Sequence, residues 1–418
     1  MRFLSCLVAL LLSCSVYGKS EKPTVILLSI DGFSYEYLEQ HKPANLLALA
    51  KSGTVAELLP VYPSKTFPNH LSIITGSYPI NHGISNNNFY NPTLGEKYVK
   101  GAGKNNPAWL TAEPFWYVAM QQDIKAAVYF WPESEVIGKT PTYNVPFNKK
   151  DSNKARFTQI IKWLELPQAE RPHFIASYFS TVDNAGHHYG PRSKQVAKAI
   201  ADIDKLLGEF VSTLANDIDQ EVNLIIVSDH GMIQVDKNKA IKPSMVFDQE
   251  TIKLIKSGAI IVASNDTQQF LYFNPLKLKQ PAEQLQVIEN LKLKLVQQQS
   301  SLYQLYAKGS YPKHWHLAKD ITLVPDIIIE AIPPATFVKE KYNKKLTITG
   351  THGYDPKNQK SLAGIFIASG ANIAKGIEVE PFENIHVFSF MSELLNLKKI
   401  STIDGNKEVL MPLIMKNK

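Results

Sequence analysis

Cysteine is almost absent from the chain. The 418 residues contain only Cys6 and Cys14, and both lie close to the N-terminus. If that segment is removed during export, the mature chain has no cysteine, so it can form neither disulfides nor thiolate metal sites. Any bound metal would then have to be held by histidine and carboxylate side chains.

Long apolar runs are also missing beyond the N-terminus, so we expect no transmembrane segment in the mature chain. The start itself has Arg2, a short apolar run at 4–12 and small residues at 13–18. This pattern predicts a signal peptide over residues 1–18 and an exported, periplasmic or secreted protein. A lipid anchor at Cys14 is the less favoured alternative, because Leu12 fits that type of signal poorly.

Runs of a single charge do not occur, although the formal net charge is +7 and the isoelectric point is near 9. Without clustered lysine and arginine, a stable complex with nucleic acid is not expected. A mildly basic protein favours small anionic substrates. The sequence gives no indication of the oligomeric state.

Apolar runs at 25–30, 174–179 and 224–227 are typical of strands that are buried on both faces. They alternate with helical patterns, such as the apolar stripe at 196–214. This order predicts an α/β fold with a central, mostly parallel sheet flanked by helices on both faces. We expect one domain over residues 19–418, with an inserted subdomain at about 240–345, where the pattern is less regular.

Three aspartates follow predicted strands: Asp31, Asp183 and Asp229. Ligands of open parallel sheets bind beyond the carboxyl ends of the strands, so these side chains could converge. Asp183, His187 and His352 form a ligand set that suits zinc with one open position. Asp31, Asp229, His230 and Thr66 could form a second site, since two neighbouring metals can activate a hydroxyl and stabilise a leaving oxygen.

Thr66 is the candidate nucleophile. The sequence around it predicts a short helix with Thr66 at or near the N-cap, Pro68 in the first turn and a stop at Gly76. A helix N-terminus stabilises anions such as phosphate through its free N–H groups and its dipole. The alternative is that Thr66 only caps the helix.

Polar and aromatic residues in loops supply further candidates. Asn87 lies in a loop predicted over 85–106 and could donate an amide N–H to a substrate oxygen, or could simply form a turn. Tyr143 and Phe147 follow in a polar connection and could stack on a flat ring, or could cover the core.

Six blocks together resemble the nucleotide pyrophosphatase/phosphodiesterase family of the alkaline phosphatase superfamily. The blocks are Asp31-Gly32, Thr66-Phe67-Pro68-Asn69-His70, Asp183 with Gly186-His187, Tyr189-Gly190-Pro191, Ser228-Asp229-His230-Gly231-Met232 and Gly350-Thr351-His352-Gly353. They extend over about residues 24–397. The chain has neither the cysteine-rich N-terminal domains nor the C-terminal nuclease-like domain of many animal members, so it is similar to the compact bacterial type.

The resemblance implies an alkaline-phosphatase-like fold with two Zn²⁺ per chain. The first would be held by Asp183, His187 and His352, and the second by Asp31, Asp229, His230 and Thr66. It implies that Asn87 donates to a phosphoryl oxygen and that Phe67, with Tyr143 or Phe147, clamps a nucleobase.

The activity that the resemblance implies is hydrolysis of phosphodiester or pyrophosphate bonds in nucleotides. The products would be nucleoside 5′-monophosphates, formed through a covalent phospho-threonine. The substrate would be a nucleotide or another small phosphodiester. The alternative is a phospholipid or choline-phosphodiester phosphodiesterase, because loop aromatics can also surround a quaternary ammonium.

Overall fold

The computed structural model describes residues 22–297, 301–318, 321–341, 349–357, 359–398 and 402–415. The predicted signal peptide at 1–18, with the candidate anchor Cys14, lies outside these residues, as does the end of the predicted insertion near 345. Within the described ranges, no helix is long and apolar enough to cross a bilayer.

The strands of the described residues are β1 Thr24–Ile30, β2 Thr54–Leu59, β3 Tyr90–Asn91, β4 Glu96–Lys97, β5 Ala126–Tyr129, β6 Tyr143–Val145, β7 Phe174–Phe179, β8 Val222–Val227, β9 Ile233–Gln234, β10 Ala240–Ile241, β11 Ile260–Ser264, β12 Gln268–Phe273, β13 Tyr303–Ala307, β14 Ile327–Ala331, β15 Thr336–Phe337, β16 Gly350–Thr351, β17 Gly364–Gly370 and β18 Ile377–Glu383. The α-helices are α1 Glu36–His41, α2 Ala44–Ser52, α3 Thr66–Thr75, α4 Pro79–His82, α5 Phe115–Met120, α6 Asn153–Leu164, α7 Thr181–Tyr189, α8 Lys194–Asp217, α9 Pro243–Val246, α10 Gln249–Ser257, α11 Pro281–Gln297 and α12 Val387–Leu394.

The central sheet has eight strands in the order β18-β2-β17-β8-β1-β7-β5-β6. Every pairing in it is parallel except the two that β17 makes with β8 and β2. Strand β1 lies in the middle, between β8 and β7. All of its residues are buried, as expected for a strand covered on both faces.

Alternate residues of β1 enter two separate cores. Val25 and Leu27 belong to a cluster with apolar side chains of α3, α5 and α12. Ile26 and Leu28 belong to a second cluster with apolar side chains of α2, α6 and α8. Because side chains of a strand alternate between its faces, helices cover both sides of the sheet. The predicted α/β fold with a mostly parallel central sheet is therefore confirmed.

A second, antiparallel sheet has the strand order β11-β12-β14-β13. It has a core of its own, in which Leu271, Ile327 and Ile329 pack with Val287 and Leu291 of α11. In the turn from β11 to β12, at residues 265–267, Asp266 accepts a hydrogen bond from Lys65, which precedes Thr66, and Thr267 donates to the carbonyl oxygen of His352.

Helix α3 begins at Thr66, and Lys65 is the extended N-cap residue. The prediction that Thr66 lies at or near the N-cap is accurate to one residue. The helix ends at Gly76, which adopts a left-handed conformation and donates its N–H to the Ser72 carbonyl. Thr66 therefore lies in the first turn, where backbone N–H groups have no helical partner.

Candidate bimetallic active site

Three adjacent parallel strands bring the aspartates together. Asp31 and Asp229 follow the ends of β1 and β8, and Asp183 lies in the first turn of α7, directly after β7. Gly32 has φ +71°, and a Cβ there would lie 2.8 Å from the Cα of Asp183. A glycine at this position therefore allows the two segments to approach closely.

The first cluster consists of the side chains of Asp183, His187 and His352, whose ligand atoms lie close together. The Nε2 atom of His187 lies 3.4 Å from Oδ1 of Asp183, and Nε2 of His352 lies 3.6 Å from the same oxygen. The two nitrogens are 3.1 Å apart. Asp183 and His187 are four residues apart within α7, so both face the same side of the helix.

Asp31, Asp229 and His230 form a second cluster beside Thr66. The Nε2 atom of His230 lies 2.9 Å from Oδ2 of Asp229 and 3.5 Å from Oδ1 of Asp31. The same nitrogen lies 3.3 Å from Oγ1 of Thr66. The rings of His230 and His352 stack with their centroids 3.5 Å apart, so the two clusters adjoin.

All three histidines present Nε2 to the clusters, because their Nδ1 atoms bond to backbone carbonyls. These contacts are 2.9 Å from His187 to Gly350, 2.8 Å from His352 to Ser64 and 2.9 Å from His230 to Gly231. A carbonyl oxygen only accepts, so each Nδ1 carries a proton, and in the neutral form of each ring Nε2 directs a lone pair inward. This arrangement is typical of histidines that ligate metals.

The carboxylates also fit a cation. Among the described residues, Oδ1 of Asp31 and Oδ1 of Asp183 are buried and receive no hydrogen bond. Buried anionic oxygens without donors are costly unless a cation neutralises them. Ligand atoms of Asp31, Asp229 and His230 lie within 4.8 Å of one another, as do those of Asp183, His230 and His352. The clusters therefore suit divalent ions.

Charge crowding shifts the proton affinities of these groups. Burial, together with the negative charges of Asp229 and Asp183, raises the pKa of Asp31 well above its ordinary value. Burial also acts to raise the pKa of Asp229, but His230 and His70 outweigh it and the pKa is lowered. Burial and the nearby positive charges lower the pKa of His352. Without a cation, this centre has to share protons among crowded carboxylates.

Asn87 lies next to the helix N-terminus. Its Oδ1 accepts the backbone N–H of Phe67 at 3.0 Å, which fixes the orientation of the side-chain amide. Because Oδ1 is used by Phe67, the Nδ2 donor is left for another partner. Asn87 and Thr66 both line the same cavity, so a donor group lies beside the candidate nucleophile.

The cavity has a volume of about 740 Å³ and an aromatic wall that includes Phe67, Phe130 and Phe147. Phe147 packs against Phe130, with the ring centroids 4.6 Å apart. Tyr143 does not line the cavity: it lies in β6, and its hydroxyl donates to the Glu170 carbonyl at 2.9 Å. Of the two aromatic alternatives, the structure places Phe147 in the cavity wall and Tyr143 outside it.

Two residues that we did not assign from the sequence support the carboxylates. His70 lies in α3, four residues after Thr66, and its Nδ1 is 3.2 Å from Oδ2 of Asp229. The Tyr178 hydroxyl donates to Oδ2 of Asp31. The spacing of Thr66 and His70 could have indicated a shared helix face, whereas no local signal marks Tyr178, which is one of several aromatics in buried strands.

Lys100 is a further cavity residue without a sequence signal. Its Nζ lies 5.2 Å from the centre of the Phe67 ring, within range of a cation–π contact. Burial lowers the pKa of Lys100. With Lys149 and Arg156, it places positive charge in a cavity that also contains several carboxylates.

Comparison with known proteins gives a consistent result. The Phosphodiest family, described as type I phosphodiesterase/nucleotide pyrophosphatase, matches residues 25–355. Venom phosphodiesterase of Macrovipera lebetinus is 34% identical over 385 residues, which cover 90% of this chain and 44% of that protein. Human ectonucleotide pyrophosphatase/phosphodiesterase family member 1 is 34% identical over 388 residues, covering 90% of this chain and 40% of that protein.

The solved structure of murine ectonucleotide pyrophosphatase/phosphodiesterase 5 has the same fold. Its TM-score is 0.81 at 24% identity, and the match covers 94% of this chain and 100% of that chain. The present chain spans less than half the length of the curated relatives named above. The family match over most of the chain and the identity to these relatives establish that the chain belongs to the type I phosphodiesterase/nucleotide pyrophosphatase family.

Proposed function

We propose that the protein hydrolyses phosphodiester and pyrophosphate bonds of nucleotides and releases nucleoside 5′-monophosphates. The observation that carries this proposal is the Thr66 hydroxyl, which lies 3.3 Å from Nε2 of His230 at the edge of two adjoining ligand clusters. Family membership and the names of the relatives, which include phosphodiesterases and nucleotide pyrophosphatases, support the same reaction class.

We propose two Zn²⁺ ions as the resident metals. Asp183, His187 and His352 would hold one, and Asp31, Asp229, His230 and Thr66 would hold the other. The donor set supports this choice, because histidine nitrogen with carboxylate oxygen is typical of catalytic zinc. Bound metals would act as Lewis acids that lower the pKa of the Thr66 hydroxyl and stabilise charge on the phosphoryl and leaving oxygens.

In the first step, Oγ1 of Thr66 attacks phosphorus in line. A bond forms from Oγ1 to phosphorus while the Thr66 hydroxyl releases its proton to solvent; the bond to the leaving oxygen breaks, and the leaving group takes a proton from solvent. Asn87 donates Nδ2–H to a phosphoryl oxygen, and the N–H groups at the start of α3 add positive potential. The product is a phospho-threonine ester.

In the second step, a water oxygen attacks the same phosphorus and Thr66 leaves as its hydroxyl. Two in-line displacements in succession retain the configuration at phosphorus. The nucleoside 5′-monophosphate is released.

We propose that Phe67 and Phe147 hold the nucleobase. Both line the cavity, as do Thr66 and Asn87. Aromatic side chains stack on any base, so they favour nucleotides without selecting one base strongly. The same wall could surround a choline group, so phospholipid or choline phosphodiesters are the substrates that the test below has to distinguish.

We further propose that the mature protein, residues 19–418, is one exported catalytic domain with an inserted subdomain at about 240–345. The separate core of the second sheet supports the insertion. A venom phosphodiesterase and an ectonucleotide pyrophosphatase/phosphodiesterase among the relatives are consistent with export.

The test compares p-nitrophenyl thymidine 5′-monophosphate with p-nitrophenyl phosphate. The proposal predicts a clear preference for the diester, and a preference for the monoester would contradict it. A panel of ATP, a dinucleotide, nicotinamide dinucleotide and glycerophosphocholine then separates nucleotide from choline substrates. Zinc content measured on the same sample shows whether activity follows the metal.

A further inference from the structure

The turn at residues 265–267 connects the second sheet to the centre of the proposed active site. The Asp266 carboxylate accepts hydrogen bonds from Nζ of Lys65 and from the hydroxyl of Thr351. Lys65 directly precedes the nucleophile Thr66, and Thr351 directly precedes the metal-ligand candidate His352. One carboxylate of the second sheet thus joins both segments.

The backbone of the His352 segment is held at two further points. Nζ of Lys65 also donates to the carbonyl oxygen of His352 at 2.7 Å. Gln268, at the start of β12, donates to the carbonyl oxygen of Gly353. Gly353 has φ +111°, and a Cβ there would lie only 2.1 Å from Cε of Lys65, so this packing requires glycine.

The same turn also holds the loop of Asn87. The side chain of Asn265 donates to the carbonyl oxygen of Asn88 at 2.9 Å. In return, the side chain of Asn88 donates to the carbonyl oxygen of Ser264 at 2.9 Å. The turn therefore contacts the three segments that contain the nucleophile, a ligand of the first cluster and the proposed phosphoryl-oxygen donor.

The charge of Asp266 has a second effect. Lys65 is buried, with only 4% of its side chain exposed, and its ammonium lies next to the His352 carbonyl. A buried ammonium beside a cation site opposes cation binding unless an anion compensates it. Asp266 is that anion. Burial acts to raise its pKa, but Lys65 outweighs burial, and the pKa is lowered so that the carboxylate stays ionised.

We propose that Asp266 is a positioning residue of the active site and that, through it, the second sheet takes part in catalysis. It aligns the Thr66 and His352 segments and neutralises Lys65, without touching the substrate. This inference rests on the proposed function. It assigns to the region at about 240–345 a role in metal binding and turnover in addition to its own folding.

The experiment replaces Asp266 by Asn in the full chain and uses Asp326→Asn as the matched control. Asp326 directly precedes β14 of the same sheet, and its carboxylate accepts the backbone N–H of Phe273 at 2.6 Å, at the end of β12 opposite to the turn at 265–267. For Asp266→Asn we expect kcat to fall and the zinc dissociation constant to rise, each by about tenfold, with KM within about twofold of wild type. For Asp326→Asn we expect neither change.

Zinc affinity is measured by competition with a chelator, and folding by the thermal unfolding midpoint. Equal kcat and equal zinc affinity in Asp266→Asn and Asp326→Asn would overturn the inference. That result would mean that the Asp266 carboxylate, like that of Asp326, contributes only to the structure of the second sheet. If Asp266→Asn does not fold, Thr351→Val removes only the hydroxyl that donates to Asp266, and we expect a smaller loss in the same two quantities. Wild-type activity at Thr351→Val would then overturn the inference.

The two proposals fail in different ways. If wild type hydrolyses no phosphodiester, the proposed function fails, while the zinc-affinity comparison still tests Asp266. If wild type is active and the Asp266 variants match the control, only the role of Asp266 is refuted.

Discussion

Replacing Phe147 by Ala tests the assignment of the nucleobase site. Phe147 lines the cavity and packs against Phe130, whereas Tyr143 bonds to the Glu170 carbonyl outside it. Stacking of a base on an aromatic ring contributes about 1–3 kcal/mol, so its loss corresponds to about a 5- to 150-fold loss in binding. We expect most of this as an increase in KM for p-nitrophenyl thymidine 5′-monophosphate, with kcat less affected, because the stacked base lies away from the reacting phosphorus.

Two controls separate stacking from general damage. Tyr143→Leu removes an aromatic ring from the same connection but not from the cavity, so KM should stay near that of wild type. Bis-p-nitrophenyl phosphate has no base, and we expect Phe147→Ala to change its kcat/KM far less. The reasoning is refuted if Tyr143→Leu raises KM for the nucleotide ester and Phe147→Ala does not.

Three other perturbations have defined outcomes. Replacing His70 by Asn removes the ring nitrogen that faces Asp229, so the zinc content after dialysis and kcat should both fall, each by up to about 100-fold. Full zinc retention and full activity would contradict this role. Removing the metals with a chelator should lower the thermal unfolding midpoint, because Asp31, Asp183 and Asp229 then repel one another without a cation; an unchanged midpoint would show that no metal is bound there. Burial raises the pKa of Glu330 from 4.5 to about 8, so between these pH values the folded protein holds a proton that the unfolded chain releases. The free energy of unfolding should therefore fall by up to about 5 kcal/mol as the pH rises from about 4.5 to 8. Urea unfolding of wild type and Glu330→Gln across this range measures the difference, and an equal pH dependence of both proteins would refute it.

The strand-end aspartates show what the sequence could predict. An apolar run that is buried on both faces ends at Ile30, and the polar residue after it has to lie at the edge of the sheet. The same holds for Asp229 after β8. Local pattern and a general rule for parallel sheets were sufficient here, because neither depends on distant contacts.

Tyr143 shows what the sequence could not predict. The segment Tyr143–Val145 is only three residues long and lies between Pro141 and Pro146, yet it pairs in parallel with β5 at the edge of the central sheet. That pairing directs the Tyr143 hydroxyl to the Glu170 carbonyl, a contact between residues far apart in sequence. The position of an aromatic side chain in such a connection is set by tertiary packing, which short-range patterns do not contain.

The role of Asp266 could not be predicted from the sequence for a similar reason. It lies between two short strands of the second sheet, and its partners Lys65 and Thr351 are 201 and 85 residues away along the chain. No spacing rule connects positions so distant. The roles of Lys65 and Asp266 follow only from the three-dimensional packing of the two sheets.

The central claim is that Thr66 is the nucleophile of a metal-dependent phosphodiesterase. The most direct test is the rate of hydrolysis of p-nitrophenyl thymidine 5′-monophosphate by Thr66→Ala, measured on protein of known zinc content. The account predicts that turnover is lost while zinc remains bound. Wild-type turnover in the zinc-loaded variant would contradict it.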